Sequence, residues 1–179
     1  MGAINYETSD YITMAVKPYD VEDFKQDHDF MQFAQEQADE YGGSLEDCIY
    51  DQIQACYDSD FENIQAILGK YDFRYYHITI KPGYYEGFSL DIENNFLTAY
   101  DDREDKRDAQ KELTQVKKCL IECANVGLVA CMPGWCTAYY DREHTIKGIS
   151  NAIKSMRAEA KETPTWAWYN RNIYRRRAC

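Results

Sequence analysis

The sequence predicts an α+β fold: an antiparallel sheet of about four strands with helices packed on one face. Three observations predict it. Between Tyr71 and Glu93, two runs of alternating polarity flank Pro82-Gly83. Two long segments, near 104–125 and 143–161, carry apolar residues three and four positions apart. The apolar run Leu128–Met132 is too short for a helix and is followed at once by Pro133-Gly134.

The hairpin is the clearest of these. In its second arm Phe88, Leu90 and Ile92 alternate with Ser89, Asp91 and Glu93. A period of two sends one set to a core and the other to water. In its first arm Tyr76, Ile78 and Ile80 share one face, and Tyr75, His77 and Thr79 the other. Pro presets φ and Gly accepts positive φ, so the turn is expected at Pro82-Gly83. Two strands are marginal in water, so helices must cover the apolar face.

Before the hairpin, Tyr11–Val16 alternates, with Ile12, Met14 and Val16 on one face, and reads as a strand ending at Lys17-Pro18-Tyr19. Asp20 is placed to cap a helix with Glu22 and Asp23 in its first turn, the favourable sign for the helix dipole. Phe24, Phe30, Met31, Phe33, Ala34, Ala38 and Tyr41 continue its stripe to Gly42-Gly43. Ser44 opens a second helix, with Asp47 at the capping-box position and Leu45, Cys48, Ile49, Ile53 and Cys56 facing inward. Asp58-Ser59-Asp60 is expected to break it. Phe61, Ile64, Ile67 and Leu68 then form a short third helix closed by Gly69.

After the hairpin, Ala109, Leu113, Val116, Leu120 and Cys123 mark a helix from about Glu104 to Asn125, ended by Gly127. Leu128–Met132 is a strand, and Trp135–Tyr140 a second or bulged one. Ile146, Ile149, Ile153, Met156 and Ala160 mark a last helix from about Glu143 to Lys161, closed by Pro164. No linker divides the chain. Residues 1–165 read as one α+β domain and 166–179 as a basic aromatic tail.

The 179 residues are 45% hydrophobic and 28% charged, ordinary for a water-soluble domain with a sizeable core. No apolar run approaches the ~18 residues of a membrane span. Seven cysteines, odd in number and without a scaffold spacing, fit a reduced cytoplasmic protein. Sixteen tyrosines suit either a Tyr-rich sheet or a surface that meets partners. The net charge of −11 is unevenly placed. Residues 1–68 hold sixteen acids and two bases, a net of −14; residues 69–179 hold fifteen acids and eighteen bases, a net of +3.

Catalytic chemistry has little to stand on. Cys119 and Cys123 project from one helix face, and Cys131 and Cys136 follow. Four thiolates suit zinc, but the spacing matches no zinc ribbon or knuckle, and packed thiols explain it as well. No metal or other cofactor is expected. His77 and His144, or Asp91, Glu93, Asp101 and Asp102 holding Mg²⁺, outline a metal-dependent nuclease or RNA-processing enzyme as the alternative. The bland reading is surface charge, and no catalytic residue is assigned. No glycine-rich phosphate loop is present.

Binding has more. The helices from Val21 to Glu62 display carboxylates densely enough to occupy the basic groove of a nucleic-acid-binding protein. The expected partner-binding residues there are Glu22, Asp23, Asp27, Asp29, Glu36, Asp39 and Glu40. In the tail, Trp166, Trp168, Arg171, Arg175, Arg176 and Arg177 combine stacking surface with positive charge. They suit nucleic acid, the protein's own acidic half, or that of a second copy in a homodimer.

Several phrases carry a resemblance. They are Gly2-Ala3-Ile4-Asn5-Tyr6, Thr8-Ser9-Asp10-Tyr11-Ile12, Gly83-Tyr84-Tyr85-Glu86-Gly87, Thr114-Gln115-Val116-Lys117-Lys118 and Trp135-Cys136-Thr137. Together they resemble a family of small proteins from phages and conjugative elements of Gram-positive bacteria. Small acidic proteins at such loci resemble inhibitors of host defence, including anti-CRISPR proteins. The resemblance implies a non-catalytic inhibitor of a host nuclease and assigns no catalytic residue.

Overall fold

The computed structural model describes residues 14–82, 88–94, 99–132 and 138–176. Its strands are β1 (Met14–Val16), β2 (Tyr76–Pro82), β3 (Phe88–Asn94), β4 (Leu128–Met132) and β5 (Ala138–Tyr139). Its helices are α1 (Val21–Gln26), α2 (His28–Tyr41), α3 (Leu45–Leu68), α4 (Arg103–Asn125), α5 (Arg142–Glu162) and α6 (Trp166–Arg176). The strands form one antiparallel sheet in the order β2-β3-β1-β4-β5, with β5 only two residues long. The α+β fold read from the sequence is the fold observed.

The central strand is β1. Met14 lies opposite both Leu90 and Ala130, and all three are buried. The β2–β3 hairpin keeps the expected faces together, with Ile78 opposite Ile92 and Ile80 opposite Leu90. It forms one end of the sheet rather than its middle. Pro82 does not turn the chain: it sits in the ladder opposite Phe88, and the connection, including Gly83, lies outside the described residues. An edge strand tolerates Pro because its outward N–H has no partner to lose. On the open face, His77 lies opposite Glu93 and Thr79 opposite Asp91. The segment after β4 returns as a separate strand, with Tyr139 opposite Cys131.

Helices α4 and α5 pack on each other and on β4, and α4 also touches β2. Their expected stripes are buried: Ala109, Leu113, Val116, Leu120 and Cys123 on α4; Ile149, Ile153, Met156 and Ala160 on α5, with Ile146 only half-buried. Gly127 follows α4 at φ 103°, a conformation that favours glycine. Helix α3 packs against α4, α2 against α3 and α1 against α2, so the first three helices form an outer layer beyond α4. One contiguous core runs from Met14 through Ile64, Leu90 and Leu120 to Met156.

Three stretches differ from the sequence reading. The helix expected from Asp20 to Tyr41 is two helices meeting at Asp27, whose backbone is extended at φ −81°, ψ 112°. In a continuous helix Phe24 and Phe30, six residues apart, would point about 120° away from each other. The break brings their rings to 4.7 Å, beside Tyr19 and Tyr57. Second, Asp58-Ser59-Asp60 breaks nothing, and α3 is continuous. Three poor helix formers cost roughly 2 kcal/mol in total. Burying Tyr57 and Ile64 on one side gives back about 1.5–3 kcal/mol each, so the helix persists. Its buried stripe includes Tyr57, whereas Cys48 and Cys56 are only half-buried. Third, the tail is helical through Arg176 and leaves the body through one parallel bridge: the Tyr100 N–H donates to Pro164 O at 2.9 Å, and the Trp166 N–H to Tyr100 O at 2.8 Å.

A single carboxylate joins the helices to the sheet. Glu112 on α4 accepts from the Arg74 N–H through Oε2 at 3.0 Å, and from the Tyr75 and Tyr76 N–H groups through Oε1 at 2.9 and 3.0 Å. Thr145 makes a matching tie: its Oγ1 accepts from the Ala130 N–H at 3.0 Å and donates to Asp141 O at 2.8 Å.

Candidate partner-binding surface

The outer layer α1–α3 is built from short-range capping. Asp20 caps α1 by accepting from the Glu22 N–H at 2.9 Å. Asp27 caps α2 by accepting from Asp29 and Phe30 at 3.0 and 3.1 Å, and Ser44 caps α3 by accepting from Asp47 at 3.0 Å. Each cap satisfies amide donors that a helix start leaves unpaired. Gly42, at φ 71°, closes α2 in the left-handed conformation.

This arrangement leaves most of the charge in water. Fourteen acids lie between Asp20 and Glu62, against Lys25 as the one base. Thirteen of them are exposed; Asp60 is half-buried because the Tyr19 hydroxyl donates to its Oδ2 at 2.5 Å. Burial first, and then this carboxylate, holds the Tyr19 phenol well above its ordinary pKa. Among the described residues, ion pairs on this layer involve only Lys25 with Glu22 at 2.9 Å and His28 with Asp29 at 3.7 Å. Neighbouring amides take others: Gln32 donates to Glu36, Gln35 to Asp39 and Gln54 to Asp58.

On α3 the acids form a stripe. Asp47, Asp51, Asp58 and Glu62 follow at spacings of four, seven and four, which return to one side of a helix. That side is opposite the buried Ile49, Ile53, Tyr57 and Ile64. On α2, Asp29, Glu36 and Glu40 share the outer side with Phe33, a large apolar ring left 46% exposed. Tyr41 and Tyr50 are exposed on the same layer. The expected residues Glu22, Asp23, Asp27, Asp29, Glu36, Asp39 and Glu40 are thus all at the surface, but Asp27 is also a cap. The stripe on α3 was missed, because the expected break at Asp58 hid its periodicity. A cleft of about 800 Å³ opens beside α1, with Lys17, Asp20, Asp23, Asp60 and Val126 among its walls.

The basic end of the chain lies on α6. Trp166 and Trp168 are exposed, and the Trp166 ring meets Tyr169 edge-on at 5.4 Å. Arg171 Nε donates to Ala167 O of its own helix at 3.0 Å. Among the described residues, no ion pair joins α6 to α1–α3. Arg175 and Arg176 lie in the helix's last turn, and Arg177 lies outside the described residues.

Of the residues considered for catalysis, His77 lies opposite Glu93 on the open face of the sheet, with Asp91 two positions along β3, while His144 stands apart at the start of α5. Asp91 pairs with Lys81 at 3.7 Å, and Asp102 is the cap of α4. His144 Nδ1 lies 2.7 Å from Asp141 Oδ2 at the start of α5, and the His144 N–H helps hold the Asp141 carboxyl below its usual range. Cys119 and Cys123 are buried on α4, where their mutual hydrogen bond and burial keep the Cys119 thiol protonated; Cys131 is half-buried and Cys136 lies outside the described residues. No group of three or more potential metal ligands forms among the described residues. No helix among them is long and apolar enough to cross a membrane. No protein-family model, curated protein or solved structure matches the chain.

Proposed function

We propose that the protein is a mobile-element accessory protein that binds and inhibits a nucleic-acid-handling defence enzyme of the host, such as a CRISPR nuclease, without catalysis. The observation that carries this reading is the acidic outer layer, thirteen exposed carboxylates with little internal neutralisation. Helix α3 carries six acids along its length, one per ~6 Å at 1.5 Å rise per residue. Duplex DNA carries one charge per ~1.7 Å, so the layer imitates a phosphate backbone only sparsely. It therefore suits a local basic groove, with Phe33, Tyr41 and Tyr50 supplying apolar contact. Opposite charge across such an interface speeds association and falls off within a Debye length of ~8 Å at physiological salt.

The test is capture from a bacterial lysate followed by competition. The captured protein should be a nucleic-acid-binding enzyme, and the parent should displace nucleic acid from it. A variant with Glu36, Asp39, Glu40, Asp51, Asp58 and Glu62 changed to Lys should lose both properties at an unchanged circular dichroism spectrum. Asp27 is left intact because it caps α2. Undiminished binding by that variant overturns the acidic-surface mechanism.

A further inference from the structure

Helix α6 leaves the body through the Tyr100–Thr165 bridge and, among the described residues, packs broadly against no other element. Trp166 is 40% and Trp168 54% exposed, large areas to leave in water on a short helix. Residues 166–179 contain four Arg and no acid. The outer layer α1–α3 of the same chain has the opposite character, fourteen acids against one base, with Phe33, Tyr41 and Tyr50 exposed among them. Yet, among the described residues, no ion pair joins α6 to that layer, and Arg171 Nε donates to Ala167 O of its own helix.

We propose that α6 docks on the acidic outer face of α2 and α3 of a second copy of the chain, and that the second copy returns the same contact. An exchange of this kind is self-complementary and closes as a two-fold dimer. The lengths agree: α6 spans about 16 Å and α3 about 36 Å at 1.5 Å per residue, so α6 fits within the acidic stripe. Charge argues against nucleic acid as the occupant. The net −11 of the whole chain, with the outer layer as its densest part, repels phosphates approaching α6, whereas it supplies the docking face for a second copy. The docking face is the surface assigned above to a basic host enzyme, so that enzyme would compete with the dimer. The test uses no such enzyme, and the two readings therefore fail separately.

The measurement is sedimentation or light-scattering mass of the full chain at about 0.05 M and about 1 M salt. At low salt the parent is expected at twice the 21.0 kDa chain mass, shifting toward one chain at high salt. Two charge-reversed variants sharpen it. The first changes Arg171, Arg175 and Arg176 to Glu; the second changes Asp51, Asp58 and Glu62 to Lys. Each alone should run as a monomer with an unchanged circular dichroism spectrum. Mixed in equal amounts they should pair, because the acidic α6 of one meets the basic face of the other and the original contact is kept on the second side. A parent that stays monomeric at low salt, or a mixture that stays monomeric, overturns the proposal. So does a monomeric parent that retards a bare oligonucleotide, which would assign α6 to nucleic acid.

Discussion

Replacing Glu112 by Ala tests how α4 is fixed to the sheet. The change removes the acceptor of three backbone N–H groups, those of Arg74, Tyr75 and Tyr76. Arg74 is exposed and Tyr75 half-buried, so water replaces the carboxylate there at a small cost. Tyr76 is buried, where water replaces a lost carboxylate acceptor poorly, a penalty of about 1–3 kcal/mol. Hydrogen bonds to a charged acceptor contribute roughly 1.5–3 kcal/mol each, reduced at the two hydrated donors. A total loss of about 2–4 kcal/mol follows. With a urea slope near 2 kcal/mol/M, the unfolding midpoint should fall by about 1–2 M. Glu112→Gln keeps one carbonyl oxygen, which can still serve Tyr75 and Tyr76, and turns an amide N–H toward Arg74. Its loss should be smaller, about 1 kcal/mol. The assay is urea unfolding followed by circular dichroism. A midpoint for Glu112→Ala within about 0.3 M of the parent, less than 1 kcal/mol at that slope, would refute the reasoning.

Leu90→Asp places an unpaired charge in the core opposite Met14 and Ile80 and should abolish cooperative unfolding; a melt near the parent's midpoint would contradict the register. Asp27→Ala removes the acceptor of two amides where α1 meets α2 and should cost about 1 kcal/mol in urea unfolding. Burial, and then hydrogen bonds to Glu122 and Asp105, push the Tyr71 and Tyr75 phenols up from 10.0 to about 12. A raised folded pKa means that this stability is fully present below pH 10 and is lost as pH rises through about 12. The melting temperature should therefore fall across that window, and the double change to Phe should flatten the fall.

Much of the fold was legible because burial leaves a period. On α4 and α5 the apolar spacing of three and four is undiluted, and both helices appear within a residue or two of the expected ends. The hairpin arms were legible for the same reason, one face being buried. What stayed hidden was decided between distant residues. Asp58-Ser59-Asp60 looks like a break locally, and only the packing of Tyr57 and Ile64 outweighs that preference. Asp27 divides a helix because two aromatic rings meet across it. Glu112 has an ordinary place on a helix face, and its three amide partners come from a segment more than thirty positions earlier. The acidic character of the first helices was plain in composition; the α3 stripe needed the helix to be continuous.

The place of β1 has a consequence for how the chain is made. The sheet's middle strand is the first to leave the ribosome, and its partners come much later: position 14 pairs with position 90 on one side and with position 130 on the other. Each remaining pair, β2 with β3 and β4 with β5, is a two-stranded ribbon that is marginal without it. During synthesis β1 must therefore wait, its apolar Met14 and Val16 uncovered, while α1, α2 and α3 are completed behind it. Those helices need only short-range caps to begin, and their mutual repulsion with other nascent chains keeps the waiting strand from strange partners. Closure of the sheet then becomes the late step, and slow folding is expected of long-range pairing of this kind.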